Sequence, residues 1–381
     1  MSWRYKGGFI QAFFDPLTPG PLTDRGLWSW GSGGNGVTGQ GTTTDTSSPV
    51  QVGALTTWLA TAAGSYHVLA TKNDNSLWSW GKNNYGQLGQ SDKISRSSPV
   101  QIGALTTWLN ACGGYGHSLV TKTDGTLWSW GRNTWGQCGT NNTTEASSPV
   151  QVGSLSNWKN VSAGYDFSVA LKTDGTLWSW GNNDNGQLGL NITAGTYAIR
   201  RSSPVQIGAL STWNNISAGQ RFVLANKTDG TLWGWGVNIV GSVGDNTVIF
   251  RSSPVQIGAL TNWKLAFTGP SSYSSFAVKT DGTLWSWGQN NNGQLGHNNV
   301  INRSSPVQIG TLNTWLEVSA GYAHSIATKT DGSLWSWGNN GYGQLGQNNT
   351  TNRSSPVQIG AIASWANPIC SRLSSLAIQR S

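Results

Sequence analysis

The sequence predicts an all-β chain folded as a single closed seven-bladed β-propeller, with a short arm ahead of it. Three recurring strings predict it. WSWG occurs at 28–31, 78–81, 128–131, 178–181, 285–288 and 335–338, and WGWG at 233–236 is a seventh copy. SSPVQ, followed by Ile or Val and then Gly, begins at 47, 97, 147, 202, 252, 304 and 354. A tryptophan lies eleven residues beyond each start: Trp58, Trp108, Trp158, Trp213, Trp263, Trp315 and Trp365. These positions account for 21 of the 23 tryptophans and leave only Trp3 and Trp135 outside. Repetition at such a fixed period marks an array or propeller.

Composition excludes other classes. Only 10% of the 381 residues are charged, against about 25% in ordinary domains. Disordered chains are charge-rich and aromatic-poor, the reverse of this one. The 51 glycines lack the third-residue period of collagen. No apolar run approaches the ~20 residues that cross a bilayer, so no membrane insertion is expected. Residues 1–10 lack an apolar core and cleavage site, so no secretory leader is expected either.

Each copy reads as four short strands. In the order of the sequence these are Pro99–Gly103, Trp108–Gly113, His117–Lys122 and Thr126–Gly131. Asp124-Gly125 separates the last two. An Asp-Gly pair between apolar runs signals a hairpin whose two central residues take positive φ. The pair recurs at 174, 229, 281 and 331, with Asp74-Asn75 as a variant. The tryptophans of WSWG are two apart and share one strand face.

The termini choose between an open solenoid and a ring. The last copy stops near Ile378, just where the Lys-Thr-Asp turn would follow. The first begins with Thr23-Asp24-Arg25-Gly26-Leu27-Trp28, the far side of that turn. The two ends therefore complete one sheet between them. A ring has reason to be cut this way, and a solenoid, which needs polar end caps, has none.

Residues 320–346, AGYAHSIATKTDGSLWSWGNNGYGQLG, resemble the repeat of the regulator of chromosome condensation family. The resemblance rests on the AG…HS stretch, the DG turn, WG and GQLG, and covers about residues 23–381. It implies a seven-bladed propeller. It implies little about activity, since one fold hosts many functions. The basic tail of that family's chromatin-binding members is not matched, and no positions match its exchange-factor residues. The opening WRYKGGFI resembles the start of some marine bacteriophage structural proteins.

Candidate chemistry is sparse. Seven of the 15 acids occupy the hairpin turn: Asp24, Asp74, Asp124, Asp174, Asp229, Asp281 and Asp331. An Asp there bonds nearby backbone and is structural. The rest, including Asp166 and Glu317, are scattered, with no glycosidase-like pair singled out. His67, His117 and His324 share a position held elsewhere by Phe167, Phe222, Ser274 and Ser374, which favours semi-buried packing. Cys112, Cys138 and Cys370 lack metal-ligand spacing. Cys138 replaces a leucine and reads as a buried free thiol. No catalytic residue, cofactor or metal is expected, and the chain is read as non-enzymatic.

The formal charge is +8, with no basic run to focus it, so nucleic acid is not an expected partner. Lys72, Lys122, Lys172, Lys227, Lys279 and Lys329 form one ring of cations. Arg96, Arg201, Arg251, Arg303 and Arg353 form a second. They are read as a solvated rim, or as a surface facing an anion.

Differences between copies carry the candidate binding sites. The loop between GxxG and SSP has seven residues in six copies and twelve, Leu190 to Arg201, in the fourth. Tyr197, Ile199, Arg200 and Arg201 there, with Val248, Ile249, Phe250 and Arg251 in the next loop, form a candidate binding patch. Residues 1–22 belong to no repeat. Trp3, Tyr5, Phe9, Phe13 and Phe14 make this arm too apolar for a free tail, so it packs on its own propeller or docks into a partner.

The leading expectation is a virion-associated structural or adhesion protein of a phage tail or capsid surface. Its arm would anchor it to another virion protein, and its rim loops would bind a host surface or glycan. The alternative is an intracellular (cytoplasmic) protein-interaction platform. Self-association is left open.

Overall fold

A computed structural model of the chain describes residues 25–192 and 200–380. They form 28 strands, numbered β1 to β28 in chain order, in seven four-stranded antiparallel sheets. Each blade is named here by its innermost tryptophan. In the Trp58 blade the order from the axis outward is β3 (Trp58–Ala63), β4 (His67–Lys72), β5 (Leu77–Gly81) and β6 (Arg96–Gln101).

The Trp365 blade closes the ring as expected. It is ordered β27 (Trp365–Cys370), β28 (Ser374–Arg380), β1 (Arg25–Gly31) and β2 (Thr46–Gln51). β1 pairs with β28 continuously from Arg25↔Arg380 to Gly31↔Ser374.

Two local expectations are corrected. The SSPVQ strand does not open a blade. β6 pairs with the preceding WSWG strand, Trp78↔Gln101 and Ser79↔Val100, and forms the outer edge of that blade. Its proline explains the placement: Pro99 has no N–H to give, which an edge strand tolerates. The chain from Gln101 to Trp108 then crosses to the next blade. The Asp-Gly turn also differs from expectation. Gly125 has φ of 80°, and Asp124 is not among the positive-φ residues. Gly125 N donates to Lys122 O at 3.0 Å. The turn is therefore a type I turn followed by a left-handed glycine, the three-residue hairpin form. Asn75, with φ of 60°, fills the same place.

The core lies between blades. Leu27, Leu376 and Ile378 of the Trp365 blade pack with Trp58, Val68 and Trp80 of the next. Within a blade the inner tryptophan meets both WSWG rings edge-on: Trp58 to Trp78 and to Trp80, each with centroids 6.0 Å apart. Such pairs add about 0.5–1.5 kcal/mol beyond the area they bury.

The lysine ring is neither a solvated rim nor an open anion surface. Lys72 Nζ sits 3.6 Å from the Trp78 centroid and 5.2 Å from that of Trp58. Lys122, Lys172, Lys227, Lys279 and Lys329 repeat the arrangement, each within 3.8 Å of one ring. Their stems are buried and their charges sit on aromatic faces.

Candidate functional site

The turns between first and second strands converge around the axis at one mouth of the propeller. Six have three residues: 64–66, 114–116, 164–166, 219–221, 321–323 and 371–373. Glycine opens five of these, because a side chain at Gly64 would collide with the His67 ring and one at Gly164 with Phe167. In the Trp263 blade the connection runs from Thr268 through Gly269, Pro270, Ser271 and Ser272 to Tyr273.

The turns are stitched into a floor. Tyr115 N donates to Tyr165 O at 3.2 Å, Tyr165 N to Gln220 O at 3.0 Å, and Gln220 N to Ser272 O at 3.0 Å. On the other side Tyr322 N donates to Arg372 O, and Arg372 N to Ser65 O, both at 3.1 Å. Ser271 reaches across the axis, its hydroxyl 2.7 Å from that of Ser65. Beneath lies a cavity of about 20 Å³ lined by Ala63, Cys112, Gly113, Ala163, Ala218 and Cys370. That holds about one water and no ligand, so the usable surface is the mouth itself.

Side chains of five turns touch one another in a circuit on this floor, and the Arg221 and Tyr273 turns complete the ring. Tyr66 meets Tyr115 edge-on at 5.8 Å, and Tyr115 stacks on Tyr165 at 4.2 Å. Burial pushes Tyr273 above its ordinary range against the pull of Arg221, which also acts on Asp166, so the Arg221 charge lies near both turns. Arg372 closes the circuit, its guanidinium 4.8 Å from the Tyr322 centroid and 5.5 Å from that of Tyr66. Outside it, Lys82 lies over Tyr66, and Arg132 lies between Tyr85 and Tyr115.

Charge here is unbalanced. Asp166 binds Arg132 at 2.8 Å. Burial pushes the Asp166 carboxyl above its ordinary range, against the pull of Arg132 and Arg221. Burial first, then Tyr115, pushes Tyr165 up to about 12, so it stays a neutral hydroxyl. Lys82, Arg221 and Arg372 have no ion-pair carboxylate among the described residues. The mouth thus presents half-buried tyrosine rings and more cations than carboxylates.

The loops expected to bind lie around the same mouth. Ile249 and Phe250 are 60% and 43% exposed, with Val248 and Ile239 beside them. Arg251 is tied to Asp245 of its own loop, and Arg96 to Asp92. Arg200 leans toward the Thr134 carbonyl at 3.5 Å. Tyr197, Ile199 and the arm residues Trp3, Tyr5, Phe9, Phe13 and Phe14 lie outside the described residues. β1 itself begins at the opposite mouth, where Arg25 N donates to Thr56 O at 2.7 Å.

Other sequence candidates are structural. Asp74, Asp124, Asp174, Asp229, Asp281 and Asp331 accept bonds from residues two further on. His67, His117 and His324 are fully buried rather than semi-buried. All three cysteines are free and buried. Glu317 accepts from Asn367 N at 3.1 Å in the inner strand layer, far along the chain from Asp166. Among the described residues no group of three or more His, Cys, Asp or Glu gathers to hold a metal.

The circuit escaped sequence reading because its members alternate between two turn positions, Tyr115, Tyr165, Tyr322 and Arg372 on one and Tyr66, Arg221 and Tyr273 on the next. A signal existed: the two residues after the glycine vary from copy to copy while the strands on either side do not. The step of 52 between WGWG at 233 and WSWG at 285 also marks the longer turn.

Comparison with known proteins agrees with this architecture. An RCC1-like domain model matches residues 21–270. The Regulator of chromosome condensation (RCC1) repeat matches 281–328 and 331–370. The chain is 27% identical over 112 residues to the RCC1 domain-containing protein RUG3, mitochondrial, of Arabidopsis thaliana, covering 29% of this chain and 25% of that protein. It is 30% identical over 112 residues to the ultraviolet-B receptor UVR8 of the same plant, covering 29% and 26%. The chain thus spans about a quarter of the length of either relative. Prp20p of Saccharomyces cerevisiae superposes with TM-score 0.83 at 20% identity, over 95% of this chain and 92% of that one. Human WBSCR16 does so with TM-score 0.79 at 21% identity, over 94% and 99%. At such identities the likeness is one of fold.

Proposed function

We propose a protein-binding platform as the function of this chain, which belongs to the regulator of chromosome condensation (RCC1) repeat family. One observation carries the proposal: five blades contribute touching side chains to the tyrosine–arginine circuit at one mouth. The scaffold positions are nearly identical between blades, whereas this ring is not, as expected of a surface shaped for a partner. Tyrosine and arginine are the residue types that dominate binding hot spots, because they bring large, partly rigid contact area and hydrogen bonds together. Prp20p, which shares the fold, is described with binding properties to Gsp1p and histones, so the architecture supports protein partners. The likeness to relatives favours this reading over a virion adhesin. The adhesin reading rests on the arm and on the Tyr197 loop.

A photo-crosslinking side chain placed at Tyr322 should join the chain to a protein partner, and Tyr115→Ala should abolish the adduct. Crosslinking only from Leu155, on the opposite mouth, would reject the proposal.

A further inference from the structure

We propose that the tyrosine–arginine mouth recognises an acidic peptide segment, a stretch of Asp and Glu side chains flanked by apolar ones. The inference rests on the platform reading and adds the chemistry of the partner.

Charge complementarity carries it. Four cations, Lys82, Arg132, Arg221 and Arg372, surround the mouth against two carboxylates, Asp166, which pairs with Arg132 and draws on Arg221, and Asp184 near it. Arg372 lies against two tyrosine faces, Tyr66 and Tyr322. That contact restrains a long side chain before any ligand arrives and leaves the guanidinium fork free for a carboxylate. A pre-positioned fork loses less freedom on binding. Tyr165, held neutral, adds a hydroxyl donor to the same floor.

Shape selects a peptide. The floor is closed by Ser65 and Ser271, so the ligand lies across the mouth. The cations backed by tyrosine rings lie toward the centre, and exposed Ile94, Ile239, Ile249, Phe250 and Ile301 stand around the rim. A nucleic-acid strand needs a continuous basic track, and here apolar groups and the exposed Asp184 interrupt it. A peptide that alternates acidic and apolar residues satisfies both zones.

The test uses the full chain and fluorescence anisotropy. The probes are a labelled peptide of alternating Glu and Leu, its Lys-Leu counterpart, and oligothymidine. The Glu-Leu peptide should bind, and more weakly as salt rises. Arg221→Gln with Arg372→Gln should weaken it about ten-fold or more, with unchanged thermal unfolding. Lys159→Gln with Lys264→Gln, the same charge change where the inner strands β11 (Trp158–Ala163) and β19 (Trp263–Phe267) begin at the opposite mouth, should leave it intact. Equal loss from both pairs would reduce the effect to net charge and overturn the proposal. So would stronger binding of oligothymidine, or no binding of the Glu-Leu peptide. If the ring variants abolish the Tyr322 adduct while the peptide fails to bind, the platform stands and the acidic chemistry falls. If the adduct survives them, both fall.

Discussion

His67 Nε2 lies 2.9 Å from Ser118 Oγ in the next blade. Ser118 in turn donates to Gln87 O at 2.8 Å, and Trp130 Nε1 donates to the same carbonyl at 2.8 Å. One imidazole, one hydroxyl, one loop carbonyl and one core tryptophan thus latch two blades together. The latch recurs as His117–Ser168–Gln137–Trp180 and as His324–Ser375–Gln344–Trp30. Where the next blade offers Val223 instead of a serine, the facing residue is Phe167, and the two pack in one apolar cluster. Phe222, in contrast, has Ser275 at the matching place of the next blade, and that hydroxyl still donates to Ser242 O at 2.7 Å without any imidazole.

Replacing His67 by Phe should destabilise the propeller by about 0.5–1.5 kcal/mol, because it removes the bond to Ser118 while Ser118 keeps Gln87 O. His67→Phe with Ser118→Val, which copies the Phe167–Val223 pair, should recover much of that loss. Urea unfolding of both singles and the double measures the coupling. Strict additivity would contradict the latch.

The same histidines predict a pH dependence. Burial lowers His67 and His117 to about 3 and His324 to about 4. In the unfolded chain they titrate near 6.5. Between those values the unfolded state binds more protons, so stability is full above about pH 6.5 and falls as pH drops toward 3. The slope is at most about 1.4 kcal/mol per pH unit for each histidine. Glu317, pushed up to about 7 by burial, acts oppositely between about pH 4.5 and 7. Its stabilising share is present at lower pH and lost as pH rises. Urea midpoints at about pH 7.5 and about pH 5, in the wild type and in the His67→Phe/Ser118→Val double, separate the two. The double should show the shallower dependence.

Lys122→Met keeps an apolar stem but removes the charge over Trp128, 3.8 Å from its centroid. The expected cost is about 0.5–1 kcal/mol, since the ammonium retains some exposure. Equilibrium unfolding should show this cost persisting in high salt. A loss that vanished with added salt would mean that Lys122 acts as a surface charge.

Removing residues 1–22 should leave a folded, closed ring, because β1 starts at Arg25 and holds the seam with β28. Removing Arg25–Gly31 as well should lower the thermal midpoint sharply by unzipping the Trp365 blade. Equal midpoints for the two truncations would show that the seam does not hold the ring shut.

Seven-fold repetition made the fold legible: WSWG, the inner tryptophan and the interrupted first copy each pointed to a ring. The blade phase was not legible, because a short strand such as Arg96–Gln101 carries no local sign of which neighbour it pairs with. Pro99 was the available hint of an edge. The lysine ring looked like a surface feature because spacing shows the period of Lys122 but not that Trp108 and Trp128 lie beneath it. The binding mouth was hardest. Tyr66, Tyr115, Tyr165, Arg221, Tyr273, Tyr322 and Arg372 meet only after the ring closes, and no two adjacent copies repeat both residues of the turn.

The most direct measurement of the central claim is the affinity of the partner captured through Tyr322 for a Tyr115→Ala/Tyr322→Ala/Arg372→Ala variant. The platform account predicts a loss of about a hundred-fold or more, with the unfolding transition unchanged. Affinity equal to that of the wild type would contradict it.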